Sequence, residues 1–199
     1  MAADERERWE AKHTAEQEPG EPAAFLRQIF QTGPWEIQPG RALDIATGKG
    51  RNALFLAEQG FTVDAIDISE VGLQQAQRQA EKQGLTLNLV QADLASFEFP
   101  DSAYDLILNI NFLLRSLVPK IKNALLPGGY IIFDTYLLDQ QDLGHPRNPA
   151  YLLNHNELLD LFRGFRILCY QEGKFFVDGK ESFRAELLGQ KHPGPRASL

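Results

Sequence analysis

Leu43-Asp44-Ile45-Ala46-Thr47-Gly48-Lys49-Gly50-Arg51-Asn52 is the stretch on which the fold turns. Ala42 to Ala46 is an apolar run too brief for a helix and bounded by Pro39-Gly40-Arg41, which predicts a buried strand. Ala53 to Gln59 then supplies helix formers and stops at Gly60. The local order is strand, glycine turn, helix. Gly48 and Gly50 let the backbone turn sharply and approach a ligand where a Cβ would intrude. The free amides of the following helix point at that ligand.

Working outward, Phe61 to Ile68 predicts a second strand carrying Asp67 near its end, 19 positions after Gly48. Ser69 is a suitable N-cap for the helix that follows, with Leu73, Ala76 and Ala80 on one face and Gly84 as its stop. Leu85, Leu87 and Leu89 alternate with polar residues, as in a strand near a sheet edge, and lead to Gln91-Ala92-Asp93-Leu94. Tyr104 to Ile110 reads as a central strand. A helix is expected from about Pro119, with Ile121, Ala124 and Leu125 inward and Pro127-Gly128-Gly129 as its stop, before a strand over Tyr130 to Tyr136. Leu137 to Tyr151 reads as a long loop. Asn154 and Glu157 have capping-box spacing for a short helix, and Phe165 to Glu172 and Glu181 to Gly189 predict two last strands with an Asp178-Gly179 turn. Upstream, Pro22 suits a first helical position, and Phe25, Leu26, Ile29 and Phe30 form an apolar stripe on a helix ending near Gly33-Pro34.

Strands alternating with helices, then a terminal strand pair, predict an α/β fold. It is a three-layer, doubly wound, mostly parallel seven-stranded sheet with an antiparallel terminal strand. The expected organisation is a lid or flexible tail over 1–20, one folded domain over 21–191 and a disordered tail over 192–199. With 199 residues and 43% hydrophobic content the chain can build a full core. Its 27 acidic and 20 basic residues give a net charge of −7, a field that opposes nucleic acid and anionic membranes. Cys169 is the single cysteine, in a strand-like run, and is read as a packed core thiol. No metal-ligand spacing joins it to the four histidines. Without an apolar run of about 20 residues or a signal-peptide pattern, a cytoplasmic protein is expected.

Ligands of such sheets sit beyond the C-terminal ends of the strands, where Asp44, Asp67, Asp93, Asn109 and Tyr136 are expected. Gly48-Lys49-Gly50-Arg51-Asn52-Ala53 fits the dinucleotide pattern G-x-G-x-x-A, with Asp67 near the distance of a ribose acid, so a nicotinamide-dependent oxidoreductase is one reading. Asp44, however, sets a carboxylate beside the turn that would hold a pyrophosphate, a repulsive arrangement in a low-dielectric cleft. A ligand with an ammonium and a sulfonium, such as S-adenosylmethionine, is attracted by the same group.

Beyond this physical reading, the chain resembles the class I S-adenosylmethionine-dependent methyltransferases, most closely the small tellurite-resistance and thiopurine type, over residues 6–191. Leu43 to Asn52, Asp67-Ile68-Ser69, Gln91 to Leu94, Tyr104 to Ile107 and Leu126 to Tyr130 carry the resemblance, with Trp9-Glu10-Ala11-Lys12-His13 as its N-terminal segment. The resemblance implies that Asp67 accepts both ribose hydroxyls and Ile68 packs on adenine. Asp93 and Leu94 would read the adenine edge. Asp44, Ala46, Thr47, Gly48, Gly50, Arg51 and the Asn109 carbonyl would line the methionine end. Ala46 stands where the family usually has glycine.

A sulfonium is an activated leaving group, so the expected chemistry is in-line displacement with the acceptor held about 3 to 3.5 Å from the methyl. Acceptor-side candidates are Trp9 and His13, one helical turn apart, with Asn111, Phe112, Arg115, Tyr136, His145 and Arg147. The short acidic chain with no added domain points to a small-molecule acceptor rather than nucleic acid, membrane or protein, acting as a monomer or homodimer. No catalytic side chain is singled out, and no metal is expected. Aminopropyl transfer lacks an acidic cluster beside Asn109; a non-catalytic nucleoside-binding module is the other class to weigh.

Overall fold

In the computed structural model the described residues are 2–15, 19–177 and 179–193. They fall into two compact units, 1–98 and 99–199.

In the first unit, β1 (Arg41–Ile45) is buried except at Arg41 and runs parallel to β2 (Thr62–Asp67), with Asp44 opposite Ala65. β2 in turn runs parallel to β3 (Leu87–Gln91), so the unit's strand order is β3-β2-β1. Both faces of β1 and β2 are covered, which is why these strands lack alternation. Four helices accompany them: α1 (Ala2–Ala15), α2 (Ala24–Gln31), α3 (Arg51–Glu58) and α4 (Glu70–Gln83). α2 buries Phe25, Leu26 and Ile29, and Phe30 meets Phe55 and Phe61 edge-on at 5.6 and 6.0 Å. Pro22 is not the first helical residue. The helix starts at Ala24, and the Ala23 N–H donates to the buried Asn52 Oδ1 at 3.0 Å instead of to a local cap. α4 has the expected ends: Ser69 accepts the Gly72 N–H, and Gly84 closes the helix in the left-handed region.

In the second unit, β4 (Tyr104–Ile110) runs parallel to β5 (Leu125–Tyr136). β5 pairs antiparallel with β7 (Lys180–Gln190), which pairs antiparallel with β6 (Arg166–Val177), giving the order β4-β5-β7-β6. Together the two units hold the seven strands of the mixed, mostly parallel Rossmann-like sheet that the sequence predicts.

Three further elements of the second unit depart from the sequence expectation. α5 (Val118–Ala124) stops before Leu125, which opens β5; the pairing of β5 with β4 shifts between Tyr104 and Leu106, and Pro127-Gly128-Gly129 lies within that irregular stretch. The Lys191 ammonium donates to the Lys122 and Leu125 carbonyls at 2.7 and 2.6 Å and thereby ends α5 from far along the chain. Leu137 to Tyr151 is not a structureless loop: it holds α6 (Gln140–Leu143) and a single turn at Pro149–Tyr151. Buried Gln140 pins it, accepting the Phe183 N–H at 2.8 Å and donating to the His145 carbonyl at 3.1 Å. β6 runs on past its expected end at Glu172 to Val177, whereas β7 matches its expected span to within one residue at each end. The Asp178 half of the expected turn and residues 194–199 of the expected tail lie outside the described residues.

Glu157 begins α7 (Glu157–Leu161) and accepts the Asn154 N–H at 2.8 Å, one half of the expected capping box. Phe133 packs on Phe162, and Phe162 on Phe165, at 5.8 and 5.4 Å. Cys169 is half-buried on β6 rather than in the core, its thiol pushed up by burial and then by Glu186.

Candidate functional site

In the first unit the chain leaves β1 at Ile45 and turns through Ala46, Thr47, Gly48, Lys49 and Gly50 before entering α3. Ala46 takes φ +54°, a left-handed conformation that explains why glycine is the easier residue there. Gly50 has φ +82°, and a Cβ on it would come 2.7 Å from that of Ala76 on α4, so both conformation and space demand glycine.

Asp44 is 1% exposed. Its Oδ2 accepts the Thr47 hydroxyl at 2.6 Å. Burial pushes its carboxyl up to about 7; the Thr47 bond, the charge of Arg51 and the Ala53 amide pull it down, while Asp67 adds to the rise. This carboxylate is short of positive charge.

Asp67, at the end of β2, is buried and holds the turn together. Its Oδ2 accepts the Gly48 N–H at 2.7 Å and its Oδ1 the Ser69 N–H at 2.8 Å. Each oxygen keeps a second lone pair for a ligand hydroxyl. Ile68 is half-buried beside it, and Gln91 Nε2 donates to its carbonyl at 3.3 Å. Asp93 accepts the Ala95 N–H at 2.9 Å, which bends the chain after β3 and buries Leu94. Arg51 is half-exposed, with Nη1 on the Glu21 carbonyl at 3.1 Å.

Trp9 and His13 do share a face of α1, their rings 5.8 Å apart. His13 is buried, with Nδ1 3.0 Å from Ser69 Oγ, and its ring lies 3.4 Å from where a Gly48 Cβ would stand. Trp9 also lies under the Lys12 ammonium at 4.5 Å.

The second unit carries the other named residues. Asn109 is buried, and its amide donates to the Phe112 carbonyl at 2.6 Å. Asn111 follows β4 at φ +57° and accepts from Arg184 Nη2 at 2.6 Å. Arg184, 4% exposed, also donates from Nε to Asp134 Oδ1 at 2.7 Å and lies 4.5 Å over the Tyr136 ring. Glu186 is the register partner of Asp134 and accepts from Gln171; burial and then the Asp134 charge push its carboxyl up to about 7. Asp134, Arg184 and Glu186 were not legible as a group, since Arg184 and Glu186 stand among other charged residues of β7 and Asp134 lies on a different strand. Arg115 is engaged by Glu157 at 2.5 and 2.9 Å and by the Ala150 and Leu152 carbonyls at 3.2 and 2.7 Å. His145 and Arg147 are exposed, and Arg147 Nε donates to the Gly144 carbonyl at 3.3 Å. Among the described residues no group of three His, Cys, Asp or Glu could hold a metal ion, and no helix is long and apolar enough to cross a membrane.

Residues 42–129 match the methyltransferase-domain family. The chain is 35% identical over 105 residues to the demethylmenaquinone methyltransferase of Thermus thermophilus, covering 49% of this chain and 47% of that protein. It is 27% identical over 143 residues to the probable S-adenosyl-L-methionine-dependent methyltransferase TehB of Haemophilus influenzae, covering 68% of this chain and 49% of that one. The crystal structure of TehB matches the fold with a TM-score of 0.68 at 21% identity, over 83% of this chain and 65% of TehB. A structure solved in work on the conversion of a disulfide bond into a thioacetal group during echinomycin biosynthesis matches at a TM-score of 0.75 and 17% identity, over 96% and 94% of the two chains. The chain spans about half the length of the curated relatives it matches.

Proposed function

We propose, for a chain that belongs through residues 42–129 to the class I S-adenosylmethionine-dependent methyltransferases, that it transfers the methyl group of S-adenosylmethionine to a small-molecule acceptor by in-line displacement. The observation that carries the reading is Asp44: a carboxylate buried at the glycine turn, with its carboxyl raised to about 7, is stabilised by a ligand cation and opposed to a pyrophosphate. The donor set therefore fits S-adenosylmethionine better than a nicotinamide dinucleotide.

In this reading Asp44 holds the cationic methionine end, with Ala46, Thr47, Gly48, Gly50 and Arg51 shaping the turn around it. Asp67 takes the ribose hydroxyls on the lone pairs that Gly48 and Ser69 leave free, and charge-assisted bonds of this kind contribute on the order of 1.5 to 3 kcal/mol. Ile68 packs on adenine, and Asp93 and Leu94 flank its edge. When bound, the cofactor supplies a methyl group on a leaving group that is already activated. The protein's part is orientation and exclusion of water, worth far more here than acid or base help. The acidic net charge of −7 supports a small molecule over a nucleic acid as acceptor.

Titration calorimetry with S-adenosylmethionine, S-adenosylhomocysteine and NADH tests the reading. Micromolar binding of the first two and none of NADH is expected. NADH binding alone would overturn it, and silence from all three would favour a degenerate module that no longer binds the cofactor.

A further inference from the structure

The first turn of α4 leaves amides that need acceptors, and Ser69 satisfies that of Gly72. Those of Glu70 and Val71 are met from a distant part of the chain: Glu10 Oε1 accepts the Glu70 N–H at 2.9 Å and Glu10 Oε2 the Val71 N–H at 3.1 Å. Glu10 is thus a second N-cap for α4, delivered by α1. Its Oε2 is also 3.4 Å from the Ser69 hydroxyl, while His13 Nδ1 meets the same oxygen at 3.0 Å. Gln75 Nε2 fastens the end of α1 through the His13 carbonyl at 2.9 Å. Gly72 leaves the room His13 occupies, since a Cβ there would fall 2.7 Å from His13 Nδ1. Ser69 is fully buried, and its own N–H holds Asp67 Oδ1. A continuous set of contacts therefore runs from Glu10 to Ser69 to Asp67 and on to Gly48.

From this chain of contacts we infer that Glu10 is a positioning residue for the cofactor site: by capping α4 and seating Ser69, it fixes the carboxylate of Asp67 for the ribose. The inference rests on the reading of Asp67 as the ribose acid. α1 then acts as a clasp on the cradle, and its contribution is specific to the ribose end of the ligand. A helix that merely covered the site would affect every part of the ligand alike.

A double-mutant cycle on the full chain, with S-adenosylhomocysteine as the probe, separates these cases. Glu10→Gln keeps the shape and one acceptor oxygen but loses the charge and the paired cap; it should weaken binding about tenfold in the wild-type background. In the Asp67→Ala background the same change should have no further effect. The preference for S-adenosylhomocysteine over its 2′-deoxyribose analogue should shrink in Glu10→Gln, a readout available even where Asp67→Ala binds too weakly to measure. Unchanged affinity in Glu10→Gln, or an equal loss with both ligands, overturns the inference and leaves the cofactor assignment standing. Unchanged affinity in Asp67→Ala sinks the ribose assignment itself, whatever Glu10 does. Thermal midpoints of each variant confirm that a folded protein was titrated.

Discussion

Asp44 makes the binding of S-adenosylmethionine and the stability of the free protein respond to pH in opposite senses. Its carboxyl lies at about 7 in the folded chain against an ordinary 3.8. A raised carboxyl means that the folded state holds a proton the unfolded state has released. Asp44's contribution to stability is therefore complete below about pH 4 and is lost as the pH rises to about 7. Across that span the loss amounts to about 4 kcal/mol. Cofactor binding runs the other way, because a cation needs the ionised form. At pH 5.5 only about one Asp44 in thirty is ionised, so affinity should be about thirtyfold weaker than at pH 8.5, or about 2 kcal/mol. Asp44→Asn keeps the shape, can accept from Ala53 and can donate to Thr47 Oγ. Urea denaturation at pH 8 should show the variant more stable than the wild type, and calorimetry should show its affinity weak and independent of pH. A wild-type affinity that is flat from pH 5.5 to 8.5, together with an Asn variant no more stable at pH 8, would refute the reasoning.

Arg115→Ala should lower stability by about 1 to 3 kcal/mol in urea, because it releases Glu157 and two carbonyls of the 150–152 segment, while cofactor affinity stays within twofold. Asp64→Ala is the matched control for Asp67→Ala: Asp64 lies within β2 and accepts from Arg41 and Asn88. Its loss should cost about 1 to 2 kcal/mol of stability and leave S-adenosylhomocysteine binding unchanged; a binding defect would mean that the β2 register is misassigned. Ala46→Gly relieves a left-handed alanine, a gain of about 1 kcal/mol partly offset by the greater unfolded-state freedom of glycine. A small rise in the urea midpoint is expected, and a fall would show that the alanine methyl has a packing role.

What could be read from sequence depended on how local the cause was. β1, β2 and β4 were legible because a short apolar run between breakers is itself the signal, and the ends of α4 were legible because Ser69 and Gly84 act on their own helix. The start of β5 was not, because the group that ends α5 is Lys191, dozens of residues away. The same holds for the site. Asp44, Gly48 and Asp67 stand in a recognisable order, whereas the tie between Glu10 and α4 spans 60 positions and leaves no spacing to detect. Arg115 shows the converse. An arginine shortly after a strand suits a ligand, yet Glu157 and the turn before it take up its donors.

β6 bears on how the protein behaves in the tube. It is the last strand of its unit, twelve residues long, and Phe176 near its end is 76% exposed. An open strand edge with a bare aromatic ring is a template for wrong partners at high concentration, and only Arg166, Glu172 and Lys174 supply charge along it. Storage at low ionic strength, where like-charged chains repel one another most, or a Phe176→Lys variant, is therefore the physically reasoned route to a monodisperse preparation.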